Sequence, residues 1–300
     1  MVLWTLLAGC SRKEDARAAE PVEPLLAKPG KAAARGEMRL LEWQFDGVAS
    51  RAAVLVPAWE PGDAKYPVVI ALHGRGEAQK SPKEGAMGWP RDYALVRAIR
   101  RVCAPPLVKA DFEGFVTTPH LAEVNRDLRE RPFRGLIVVC PYLPDIDLTT
   151  PAESLAYGTF VVNTLLPRVR RETPALTDAA STGIDGVSLG GAAALRIGFA
   201  NPKVFGAVGG LQPAIQESEA AEFTELVRSA RLQNPAQKLR LLTSEKDYFR
   251  APIARLSQSL KAAGLAHEYA DVPGPHDYVF NRGPGSLELL LFHARSLAAR

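Results

Sequence analysis

Gly186-Val187-Ser188-Leu189-Gly190 sets a serine between glycines two positions to either side, and Gly191 follows. This spacing suits a hydroxyl held on a tight strand-to-helix turn, where a strained backbone leaves no room for neighbouring Cβ atoms. The next run, GAAALRIGFA, opens with small side chains, so a helix there can pack closely on a sheet and aim its positive end at Ser188. A hydroxyl is a poor nucleophile without a base. Among five histidines, His276 stands in Gly274-Pro275-His276-Asp277-Tyr278, after the last strand candidate and before the C-terminal helix. His293 in an apolar helix and His120 in an insertion are expected to be structural, and His267 starts a strand at the opposite end. The base in turn needs a carboxylate to fix its tautomer. Asp247, just past the strand candidate KLRLLT, is best placed; Glu245 is its local rival, and Asp271 lies in or at the end of the last strand.

A tetrahedral oxyanion requires two converging N–H donors. Leu189, the residue after the serine, supplies one. The second is expected from the loop His73-Gly74-Arg75-Gly76 after PVVIAL, through the amide of Arg75 with Gly74 as the alternative. His73 then holds that loop instead of acting as a second base, and the Arg75 guanidinium is expected in solvent, or on an acidic group of a substrate.

These residues need a scaffold that gathers loops from distant parts of the chain. From residue 38 onward, short β-rich runs alternate with helical stretches, the pattern of an α/β domain with a largely parallel sheet. Leu40–Phe45 and Arg51–Pro57 read as an antiparallel opening pair. Pro67–Leu72, Leu136–Cys140 and Phe205–Gly210 are nearly continuous apolar runs suited to strands buried on both faces. Further strands are expected at Thr182–Val187, Lys238–Thr243 and His267–Val272. Helices are expected at Pro151–Arg171, Gly191–Ala200, Ala220–Leu232, Ile253–Ala263 and Ser286–Ala299. The stretch 85–134 breaks this rhythm, with helical pattern at Tyr93–Cys103 and Leu121–Arg131, and is expected to form a cap over the carboxyl edge of the sheet. Its Trp89, Phe112, Phe115 and Pro119 could line an acyl or aryl pocket or simply form its own core.

With 300 residues, 47% hydrophobic and 23% charged, the chain can bury a substantial core, which excludes a disulfide mini-scaffold. The 37 basic and 33 acidic residues are well mixed and leave a net charge of +4, far from a nucleic-acid footprint. The opening MVLWTLLAGC followed by SRKEDARAAE has the form of a bacterial lipoprotein signal, with Cys10 as the lipidated residue. Residues 1–35 then form signal and disordered tether, and residues 36–300 the folded domain. The pattern implies a cell-envelope protein, periplasmic or outer-membrane-associated, whose partner is a membrane reached through a lipid anchor. Cys103 and Cys140 remain, and both pairing and burial as thiols are open.

ALHGRGE at the first core strand, GVSLGG at the serine, SEKDYF around the acid and PGPHDYVFNRGPGSLELLLFH around the histidine together resemble the esterase group of the α/β-hydrolase superfamily. That group contains feruloyl, enterochelin-esterase-like and S-formylglutathione hydrolases, and the tail is most similar to the enterochelin-esterase-like members. The resemblance covers about residues 38 to 300. It implies an α/β-hydrolase fold, a triad of Ser188, Asp247 and His276, and oxyanion donors at Arg75 and Leu189. It also implies a serine esterase acting on a small-molecule or polymer-linked ester, with no metal or organic cofactor. Acyl transfer through the same residues, peptide hydrolysis, and a non-catalytic envelope binding role on the same fold are the rival readings. The lipoprotein-like start and the long insertion depart from the smaller members.

Overall fold

The structure, a computed structural model, describes residues 21–298 except 29–30, 48–49, 60–62 and 149. Cys10 and the expected signal therefore lie outside the described residues. Among the described residues eight strands form one sheet: β1 (Met38–Gln44), β2 (Arg51–Pro57), β3 (Val68–Leu72), β4 (Ile137–Pro141), β5 (Thr182–Gly186), β6 (Ala207–Leu211), β7 (Lys238–Lys246) and β8 (Glu268–Pro275). Their order is β1-β2-β4-β3-β5-β6-β7-β8. Only the β1–β2 and β2–β4 pairings are antiparallel; all the others are parallel. Between β3 and β4 come α1 (Arg75–Ala78), α2 (Pro82–Ala86), α3 (Leu95–Cys103) and α4 (Thr118–Glu130). Next are α5 (Pro151–Phe160) and α6 (Leu166–Glu172), then α7 (Leu189–Ala200), α8 (Ala220–Gln233) and α9 (Arg250–Ala262) after β5, β6 and β7. The turn α10 (Tyr278–Phe280) and helix α11 (Ser286–Ser296) follow β8. Every helix expected outside the insertion forms, with ends shifted by a few residues.

Adjacent residues of a strand point to opposite faces, and the two faces build two cores. Val54, Ile70, Val139 and Leu241 pack with the apolar sides of α7, α8 and α9. Leu55, Val69, Val138 and Leu242 face the other way, toward α3, α4 and α11. All of α7 except Ala200 is buried, and its small residues permit that depth: a Cβ on Gly198 would press to 2.6 Å from Val208. The stretch 85–134 therefore differs from the expected cap. Its Leu95, Val96, Ile99, Val124 and Leu128 share a core with Leu287, Leu290 and Phe292 of α11, so most of it forms a layer on one sheet face. Its apolar positions are matched to that face, and burying them there removes them from water. Its first turns and Phe115 reach the carboxyl edge, Phe115 lying against Gly274 near the end of β8. No disulfide joins Cys103 and Cys140, and burial pushes the Cys140 thiol well up. No helix among the described residues is long and apolar enough to cross a membrane.

Candidate active site

Parallel strands end on the same side of a sheet, so the residues following β3, β5, β6, β7 and β8 gather along one edge. The register then decides which of them are neighbours. β7 and β8 run past their expected ends, pairing Ser244 with Val272 and, across an irregularity, Lys246 with Pro275. The next residues are Asp247 and His276. Likewise Val187 bridges Leu211, and the residues after them are Ser188 and Gln212.

Asp247 and His276 meet. Nδ1 of His276 lies 2.7 Å from Oδ1 of Asp247. A carboxylate only accepts, so Nδ1 carries a proton, and in a neutral ring Nε2 is then the nitrogen with the lone pair. The Asp247 side chain is fully buried and that of His276 is 14% exposed. The carboxylate is held from both sides: Thr243 Oγ1 donates to Oδ2 at 2.7 Å, and the Phe249 amide donates to Oδ1 at 3.0 Å. The rings of Tyr248 and Phe249 flank the imidazole at centroid distances of 5.5 and 5.6 Å. Neither rival takes this place. Glu245 is exposed, and Asp271 pairs with Arg250 at 2.8 Å.

Ser188 has φ +55° and ψ −118°, a conformation costly for any residue with a side chain. Its amide donates to Leu211 O at 3.0 Å, and its carbonyl accepts from the Ala214 amide at 3.0 Å. The flanking glycines are sterically required: a Cβ on Gly186 would collide with the Gly190 carbonyl, and one on Gly190 with the carbonyls of Leu72 and His73. The Leu189 amide heads α7, where the first N–H groups have no intrahelical partner. The loop after β3 lies against the serine, since a Cβ built on Gly74 would stand 3.8 Å from Ser188 Cβ. Among the described residues no hydrogen bond joins Ser188 to His276; such bonds often tighten only when substrate is bound.

The loop is fastened by residues that sequence reasoning missed. Glu77, buried in α1, accepts from the hydroxyl of Tyr93 and from that of Tyr278 at 2.6 Å. The Tyr93 oxygen accepts from the Gly74 amide at 3.2 Å. Burial, with Glu77 beside them, pushes both phenols up, so they stay donors. Glu77 stood within the ALHGRGE motif, but nothing in the sequence marks two tyrosines 16 and 201 positions away as its partners. The Arg75 guanidinium, expected in solvent, pairs with Asp145 at 2.7 Å.

The remaining histidines hold structure. His73 donates from Nδ1 to Gly74 O at 2.9 Å, and its Nε2 accepts from the Leu143 amide at 2.9 Å; burial lowers its pKa. His293, also lowered by burial, lies 3.0 Å from Asp185, which Arg240 holds at 2.6 Å. His267 bonds Ser257 at 2.8 Å. His120 pairs with Glu288 at 2.6 Å, in a cavity of about 200 Å³ bordered by Phe115, Val116, Val272 and Pro273. Of the aromatic residues considered for a pocket, Trp89 and Phe112 belong to the core, Phe115 lines this cavity, and Pro119 is exposed.

Comparison with known proteins bears on the fold. The chain is similar to a ferulic acid esterase, with a TM-score of 0.62 and 17% identity over 87% of this chain and 99% of that one. It is similar to an S-formylglutathione hydrolase from Staphylococcus aureus, with a TM-score of 0.60 and 15% identity over 88% and 100% of the two chains. An enterobactin esterase from Shigella flexneri matches with a TM-score of 0.53 and 16% identity, over 91% of this chain and 62% of that one. No curated protein matches it in sequence. The chain therefore has the α/β-hydrolase fold, and its residues 148–280, which carry Ser188, Asp247 and His276, match the family described as "Putative esterase".

Proposed function

We propose that this protein is a serine carboxylic-ester hydrolase working through an acyl-enzyme. Ser188 Oγ attacks the ester carbonyl as its proton passes to Nε2 of His276, and Asp247 orients the ring and stabilises the imidazolium. The amides of Leu189 and Arg75 receive the oxyanion; Gly74 is the weaker choice because its amide already donates to Tyr93. The alkoxide leaves with the proton from His276, and water reverses the sequence to free the acid. One observation carries this reading: the His276–Asp247 hydrogen bond, on a buried carboxylate, stands on the sheet edge that also presents Ser188. The esterase family match and the esterases among the structural neighbours support it. Turnover of p-nitrophenyl butyrate, with mass-spectrometric mapping of a fluorophosphonate adduct, tests it. Expected are hydrolysis and a single adduct on Ser188; no turnover and no adduct there would overturn it.

The envelope location is part of the same proposal and rests on the MVLWTLLAGC start. Expressed in a bacterium, the wild type is expected in the membrane fraction, and the Cys10→Ser protein in the soluble fraction with unchanged kcat. Unaltered fractionation of the variant would remove the lipid anchor.

A further inference from the structure

Gln212 follows β6 and has φ +44°, a left-handed backbone uncommon for any residue other than glycine. It is completely buried. Strain of this kind persists only where the surroundings over-determine the conformation, and here they do. Its amide donates to Leu242 O at 2.6 Å, while the carbonyl just before it, that of Leu211, accepts from Ser188. Its side chain reaches the other two loops of the site. Nε2 donates to Pro275 O at 2.9 Å and to Ser244 Oγ at 2.7 Å. Ser244 Oγ donates in turn to Pro275 O at 3.2 Å.

The carbonyl of Pro275 can only accept, so Nε2 must face it, and this fixes the amide's orientation. Oε1 is then left buried without a hydrogen-bond partner among the described residues. The Gln212 side chain therefore meets its neighbours through its donors alone. Pro275 is bonded directly to His276, and Ser244 lies three residues before Asp247. Gln212 thus ties the end of β6, whose Leu211 carbonyl holds the Ser188 amide, to the loops bearing acid and base.

We infer that Gln212 is a positioning residue that fixes His276 relative to Ser188 through its two amide hydrogen bonds. The inference rests on the esterase reading. Gln212→Met keeps length and burial but removes both donors, leaving Pro275 O to Ser244 alone. A small displacement of a catalytic group can cost on the order of 100-fold. The Met variant is therefore expected to lose roughly 10- to 100-fold in kcat with KM changed less than about twofold. Its thermal melt should stay cooperative, and the downfield proton resonance of the His276–Asp247 hydrogen bond should move or broaden.

Gln212→Glu supplies the readout that a purely structural role would not move. As an acid it can still donate one hydrogen; as a carboxylate it turns a lone pair toward Pro275 O. Its activity relative to the wild type is expected to rise as pH falls. A folded Met variant with wild-type kcat, pH profile and downfield resonance would overturn the inference. Should the Met variant not fold, a Glu-to-wild-type ratio independent of pH would do so. A wild type that hydrolyses no ester would defeat the esterase reading instead, and the proton resonance would still decide whether Gln212 positions His276.

Discussion

The Ser188→Ala protein is expected to melt like the wild type while hydrolysing p-nitrophenyl butyrate roughly 10⁴- to 10⁶-fold more slowly. The contacts that hold residue 188 in place are made by its backbone, to Leu211 and Ala214, and alanine retains the Cβ. The substitution removes one oxygen from an otherwise intact site. What remains is the binding site and the oxyanion donors, which by themselves still accelerate hydrolysis about 10³- to 10⁴-fold over water. Full kinetic curves for both proteins, with melting followed by circular dichroism, check this. Equal rates would refute nucleophilic attack by Ser188, and a collapsed melt would show that the hydroxyl serves the fold.

Asp247→Asn is expected to lower kcat by about 10⁴-fold with little change in KM. The native carboxylate accepts three hydrogen bonds, from His276, Phe249 and Thr243, and an amide has one oxygen and one NH₂ to meet them. If the NH₂ faces His276, it donates to Nδ1 and places the ring proton on Nε2, where it blocks the transfer from Ser188. If the oxygen faces His276, the tautomer survives but the charge that stabilises imidazolium is gone. Asp271→Asn is the control, expected to stay within about twofold of the wild type, because an exposed ion pair such as Asp271–Arg250 contributes little. A loss below tenfold for Asp247→Asn would mean that another carboxylate can serve His276.

The eight strands were legible because each rests on local pattern, and the candidates Asp247 and His276 were singled out by their places just after strands. PVVIAL and LIVVC are buried on both faces and read as such, and the glycines around Ser188 are dictated by backbone crowding that acts within five residues. The fastening of the site was not legible. Glu77 meets Tyr93 and Tyr278, and Gln212 meets Ser244 and Pro275, only after the sheet has set its register, and no spacing rule links those positions. The strand ends illustrate the same limit. Ser244 and Pro273 look like loop residues, yet β7 and β8 continue through them because each offers the other a partner for its main-chain groups. The length of the stretch 85–134 suggests a position over the carboxyl edge, but length says nothing about which apolar surface α11 leaves to be covered.

The two interior imidazoles, His73 and His293, make the chain sensitive to mild acid. Burial lowers both values, so the unfolded chain takes up these protons first, beginning near the ordinary imidazole value of 6.5. Above that pH neither ring penalises folding; below it, each drains up to about 1.4 kcal/mol of stability per pH unit until its own folded value is reached. His120 has the opposite sign: its hydrogen bond to Glu288 raises its value, so its contribution is complete below 6.5 and fades above. Between pH 6.5 and the range where carboxylates titrate, the two lowered rings act unopposed by it. Protonating His73 in the folded protein would strip the Leu143 amide of its acceptor, so the loop beside the nucleophile should loosen only at pH values below the window in which the melting temperature drops.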